Sequence, residues 1–303
     1  MEQDTRAARP WRTLIPLGMV APLLIIASEA FLVLSGTLVK WASESLPSLQ
    51  IVFGRNALAL AILLPWIIYK SVPVLKTQVL HLHFMRAFVG VSAMSCMFYA
   101  WGHLPLAQAA LFKQTAPFFV PFIAFFWLGE QVSRVTKLAI LVGFVGVVMV
   151  LNPAQGEVNI AAFVALLGAS LGALAKVTIR RMHVSESTQT IVFYFALFST
   201  LIMLLPALYV WQPMAMGDWA LLSTIALTST IAQLLLSKAY GMEKAGVLAP
   251  FTYSSVVIAA VLGWVFWSES LGWIQWLGML VIAFGGLAAS NALPFKRWRK
   301  ASR

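Results

Sequence analysis

Two ionisable side chains stand deep inside apolar runs of this chain: Glu29, in IIASEAFLVLSG, and Lys113, in LFKQTAP. A charge at the centre of a bilayer costs roughly 2.5–3.5 kcal/mol on insertion scales, so such groups turn from lipid toward partners or an aqueous cavity. Three roles fit Glu29: a proton-carrying carboxylate, a counter-charge for a cationic solute group, or a protonated acid hydrogen-bonded between helices. Lys113 lies roughly 12 Å from the outer end of its run at 1.5 Å per residue. Its ammonium would there hold a solute carboxylate or pair with Glu29. Gln114 follows it. Arg55 is about as deep in a second run, able to border a site or to cap helix-end carbonyls. Gln233 would line a site or tie two helices together. Lys176 and Lys238, near run ends, read as cations that snorkel to the interface. These groups suit binding and the exchange of charge. Metal chemistry is not expected, because His81, His83, His103 and His183 are scattered and the single cysteine, Cys96, removes thiolate clusters and disulfides.

The elements that must carry these residues follow from composition. Of 303 residues, 61% are apolar and 10% charged, against roughly 45–50% and about 25% in soluble globules. Such a chain is written for lipid. Ten apolar spans are expected, at about 15–39, 47–69, 81–103, 105–128, 135–152, 158–179, 189–211, 219–241, 246–267 and 273–292. With the N-terminus inside, the cytoplasmic face receives Arg6, Arg9, Arg12, Lys70, Lys76, Arg86, Arg134, Lys137, Arg180, Arg181, Lys244, Lys296, Arg297, Arg299, Lys300 and Arg303, and the outer face Lys40 alone. That asymmetry sets both termini in the cytoplasm of an inner, plasma-membrane protein. The net charge of +11 thus belongs to membrane flanks and not to a nucleic-acid face. Tryptophans such as Trp41, Trp211, Trp219, Trp267 and Trp273 fall at span ends as an interfacial belt, which also accounts for Trp101.

The sequence repeats at an offset near 139. Residues 98–130 lie against 237–269, matching Phe112 with Phe251 and Glu130 with Glu269, and Leu64-Pro65 recurs as Leu205-Pro206. Each half holds five spans, an odd number, so the second must enter the membrane from the opposite side. The fold expected is all-α, ten transmembrane helices in two inverted five-helix repeats, with a tail at 1–14, repeats at 15–152 and 157–292, and a basic tail at 293–303. Inverted repeats are an arrangement of secondary transporters, whose sites lie at mid-membrane between the halves. The repeat places Thr252 and Tyr253 opposite Lys113 and Gln114, adding them to the site. Glu130 and Glu269, at helix ends, are expected to accept hydrogen bonds from the amides opening the next helix, as structural or gating groups. Pro117 and Pro121 would kink span 4. Gly168-x-x-x-Gly172 and the glycines of spans 5 and 10 mark close helix approach, within the chain or in a homodimer.

Pro47 followed by Arg55, then MRAF, HLPLAQAALF, APFF, FWLGE, a glycine-rich fifth span and LNP resembles the drug/metabolite transporter superfamily, most closely its EamA-type members. The likeness covers essentially the whole chain. LFKQTAP departs from it by placing lysine where such proteins usually carry small or apolar residues. The resemblance implies alternating-access transport of a small organic metabolite, with export slightly favoured over uptake, no cofactor, and coupling to protons or to the solute gradient. Two deep bases against one acid imply an anionic solute. The rival expectation is an integral-membrane enzyme acting on a lipid or isoprenoid.

Overall fold

The computed structural model describes residues 19–70, 76–116, 134–151, 159–243 and 251–289, with Phe118, Phe119, Ile123, Phe126 and Leu248. Ten helices are formed among them: α1 (Val20–Ala42), α2 (Ser48–Lys70), α3 (Leu80–His103), α4 (Leu106–Lys113), α5 (Arg134–Leu151), α6 (Ile160–Met182), α7 (Thr188–Tyr209), α8 (Met216–Met242), α9 (Ser254–Trp267) and α10 (Trp273–Ala289). No strand occurs among the described residues. Helices satisfy every backbone polar group internally, which hydrocarbon demands. Six of them, α1, α2, α3, α6, α7 and α8, are long and apolar enough to cross a bilayer. Large apolar side chains such as Phe84, Leu205, Trp264 and Leu280 point outward from the bundle, a covering that only lipid would leave unpenalised.

Local sequence sets the helix starts. Asn159 caps α6, its side-chain oxygen accepting from Ala161 N at 2.9 Å. Ser187 caps α7 through Thr190 N at 3.1 Å. Each fills an amide that has no intrahelical partner. Pro65 and Pro206, matched in the repeat, lie inside α2 and α7.

The packing maps onto itself when the two halves are exchanged. α1 packs on α8 as α6 packs on α3, α2 on α8 as α7 on α3, and α1 on α9 as α6 on α4. The equivalent pairs α2–α7, α4–α9 and α5–α10 each meet across the centre. α5 and α10 approach backbone to backbone: a Cβ on Gly146 would lie 2.8 Å from the Gly278 carbonyl oxygen, and one on Gly278 2.9 Å from that of Gly146. Within the chain, therefore, these glycines already have the close partner that dimerisation through spans 5 and 10 would have required of them.

The fourth and ninth spans are both broken, at matched places. α4 stops at Lys113 and turns at Gln114 and Thr115; α9 starts beyond a turn at Tyr253. Thr115 Oγ donates to Phe112 O at 2.7 Å, and Ser254 Oγ to Phe251 O at 2.7 Å, so the repeat persists at the level of single hydroxyls. Discontinuous helices with their freed carbonyls satisfied by neighbours are tolerated at membrane depth only where protein or a cavity surrounds them. Pro117, Pro121 and Glu130, expected to kink or end the fourth span, lie outside the described residues, as do the two terminal tails.

Candidate functional site

A cavity of about 870 Å³, its mouth included, lies among α1, α2, α3, α4, α6, α7 and α8. Its wall is mainly apolar, but four cations reach it: Arg55, Arg86, Lys113 and Lys176.

Glu29 and Lys113 meet as the residues predicted. Lys113 Nζ donates to Glu29 Oε2 at 2.5 Å, drawing α4 onto α1. The carboxylate is 1% exposed and the lysine side chain 14%, so Glu29 sits behind the wall and Lys113 in it. Glu29 Oε1 has no hydrogen-bond partner among the described residues. Such a pair recovers part of the desolvation of both charges, and stranding either one is costly. Lys176, from α6, lines the same cavity. Of the two lysines expected to snorkel, Lys176 is partly exposed on the cavity wall and Lys238 is exposed.

Arg55 is 2% exposed. Its guanidinium does not cap helix-end carbonyls. It crosses to α8, where Nε donates to Ser229 Oγ at 2.7 Å, and Nη1 donates to Asn56 Oδ1 at 2.6 Å. Arg86, counted from the sequence among the cytoplasmic flanks, lies inside α3 and is 5% exposed. Nη2 reaches Gln233 Oε1 at 3.3 Å, while Nε and Nη1 have no partner among the described residues. Both guanidiniums face the Phe195 ring, at 4.2 Å for Arg86 and 5.8 Å for Arg55. Gly90 makes room for this: a Cβ there would lie 1.9 Å from Arg86 Nη1.

Gln114, Thr252 and Tyr253 do not line the cavity. Gln114 Nε2 donates to Thr252 O at 2.8 Å and Ser255 Oγ at 2.7 Å, and Tyr253 Oη donates to Ile282 O at 3.3 Å. Gln114 thus joins the two broken helices, and Tyr253 ties the start of α9 to α10. Trp101 is also displaced from its expected place. It is 4% exposed, lines the cavity and lies against Gly36, so it belongs to the interior and not to the interfacial belt.

Glu269 does bind a helix-opening amide, but of α4, not of the following helix. Its Oε2 accepts from Leu106 N at 2.8 Å and its Oε1 pairs with Lys40. The reversal comes from Ser268, whose φ of 52° turns the chain back over α9. Lys40 lies 4.9 Å from the centre of the Trp267 ring. Nearby, Gln50 and Gln212 exchange side-chain and backbone bonds, at 2.8 and 2.9 Å. These ties join the two halves at the end assigned to the exterior by charge. Glu269→Gln keeps an acceptor for Leu106 and loses the ion pair, whereas Glu269→Ala loses both. Thermal unfolding in detergent should rank wild type above Gln above Ala, with the last step costing about 1–2 kcal/mol.

A ten-helix, internally symmetric bundle with broken central helices and a charged cavity between its halves defines a membrane carrier of small solutes. Residues 19–152 and 159–290 each match the EamA-like transporter family, to which the chain therefore belongs. It is a multi-pass membrane transporter of small metabolites, not an enzyme. The pseudopaline exporter CntI of Pseudomonas aeruginosa is 33% identical over 274 residues, covering 89% of this chain and 95% of that protein. The riboflavin transporter of Vibrio cholerae is 28% identical, over 78% and 80%. An S-adenosylmethionine uptake transporter of Rickettsia bellii is 26% identical, over 82% and 84%. A solved crystal structure shares the fold with a TM-score of 0.63 at 18% identity, over 90% of this chain and 96% of that one.

Proposed function

We propose that this protein exports a small anionic organic metabolite across the inner membrane by alternating access. The two halves, about 15–152 and 157–292, act as inverted repeats with ten crossings and both termini cytoplasmic, and rock about the α4–α9 and α5–α10 joints. The observation that carries this reading is the cavity between the halves, where two buried arginines and two partly buried lysines line the wall and one of the lysines pairs with a buried carboxylate. Export has the support of the 33% identical relative named as an exporter, against uptake relatives at 26%. The cavity is complete within one chain, so a monomer suffices as the working unit. Lys40–Glu269 serves as an outer gate. Glu29, Lys113, Arg55 and Gln233 form the site.

A solute carboxylate arriving at Lys113 leaves Glu29 without its counter-charge, and protonation relieves that state. Transport coupled in this way consumes or releases a proton at Glu29. Purified protein should be stabilised by a subset of an anionic metabolite panel that also includes riboflavin, S-adenosylmethionine and pseudopaline, because bound ligand stabilises by mass action. The stabilising solute should then exchange across proteoliposomes with a pH-dependent rate. Exchange no faster than in protein-free vesicles, for every solute that binds, would overturn the reading.

A further inference from the structure

Arg55 and Arg86 approach the same ring, Phe195, from α2 and α3, with the guanidiniums 5.8 and 4.2 Å from its centre. Their partners are Ser229, Asn56 and Gln233, all neutral. Among the described residues neither arginine makes an ion pair, and Arg86 leaves Nε and Nη1 unbonded while 5% exposed. Two buried like charges repel, and each loses solvation, so the arrangement is uphill until an anion arrives. Arginine presents a planar fork that matches a carboxylate through two parallel hydrogen bonds. The Lys113–Glu29 pair lies elsewhere in the same wall, which Lys176 also lines.

We propose that Arg55 and Arg86 form a second anion subsite, distinct from Lys113, so that the transported solute is an organic acid with at least two ionised groups. One carboxylate lies between the guanidiniums against the Phe195 ring, and another displaces Glu29 from Lys113. Gly90 and Gln233 are positioning residues, the first by leaving space for the Arg86 head and the second by holding its Nη2. The inference rests on the chamber reading above and adds the valence of the solute to it.

The probes are acetate, glutarate and tricarballylate, with neutral glutaramide as control, added to purified full-length protein in neutral detergent at fixed ionic strength. Thermal stabilisation should rise from acetate to glutarate to tricarballylate and be absent for glutaramide. Arg86→Gln should remove the increment beyond acetate, and Gly90→Val should do the same by moving the guanidinium. Arg86→Gln alone should raise the melting temperature of the ligand-free protein, by about 2–4 °C per kcal/mol gained. A fall in that temperature would make Arg86 a structural group and overturn the subsite. So would equal stabilisation by acetate and tricarballylate, or an increment that survives in Arg86→Gln. A parallel series with phosphatidylglycerol tests a lipid headgroup as occupant. If this lipid abolishes the tricarballylate shift in wild type and has no effect on Arg86→Gln, the subsite belongs to lipid and the solute proposal falls. The transport reading is judged separately: proteoliposomes that exchange a monoanionic or neutral solute quickly, and no diacid, would keep the carrier and remove the second subsite.

Discussion

Lys113→Met is expected to destabilise the protein by about 3–5 kcal/mol, because it strands the Glu29 carboxylate in a wall where it is 1% exposed. Glu29→Gln should cost less, since the lysine it leaves behind touches the cavity. The double variant should recover most of the loss, giving a coupling energy that unfolding of all four proteins in detergent would measure. Solute exchange separates structure from mechanism. The double variant should be folded yet fail to exchange an acidic solute, and whatever residual exchange survives in Glu29→Gln should no longer respond to pH. A double variant that exchanges at the wild-type rate with the wild-type pH response would reduce the pair to a helix clamp.

The second large effect is expected at Gly172. It borders the cavity, and a Cβ there would meet nothing within 4 Å. Gly172→Ala should therefore fold normally and gain up to about 1 kcal/mol from helix propensity. Gly172→Trp fills the chamber and should abolish exchange while leaving thermal stability near that of wild type. The neighbouring Gly168 gives the contrast. A Cβ there would lie 2.8 Å from Cys96 Cβ, so Gly168→Leu should unfold or misassemble the α3–α6 contact. Equal stability loss at both positions would mean that Gly172 is packing, not chamber.

The scaffold was legible in the sequence because lipid acts on whole segments. Twenty apolar residues in a row can do little else than form a helix, and the sparse matches of Phe112 with Phe251 and Pro65 with Pro206 correspond to a packing whose main helix pairs recur in both halves. The meeting of Glu29 with Lys113 followed from the same physics, since two opposite charges in hydrocarbon find each other. Arg86 escaped for an instructive reason. The expected span 81–103 enclosed it, but its charge and nearness to the inner end placed it among the cytoplasmic flanks. Six residues of α3 precede it, about 9 Å of helix, and that depth was the available signal. Gln114, Thr252 and Tyr253 showed the opposite failure. They are polar at mid-membrane, but periodicity does not reveal that α4 and α9 break there and claim their hydrogen bonds. That Lys176 reaches the cavity wall depends on which face of α6 it occupies, a matter of packing that the apolar run does not reveal. The chamber is also where the repeat diverges: Lys113 is matched by Thr252, and Glu29, Arg55, Arg86 and Lys113 all come from the first half. Symmetry builds the frame, and departures from it build the site.

The central claim is that the space between the halves is a wet solute path. Gly172→Cys in a Cys96→Ser background, treated in proteoliposomes with a membrane-impermeant methanethiosulfonate cation, tests it most directly. The account predicts that the thiol is modified, that modification stops solute exchange, and that bound solute slows the labelling. A thiol that stays unreactive from both faces of the membrane while exchange proceeds would contradict it.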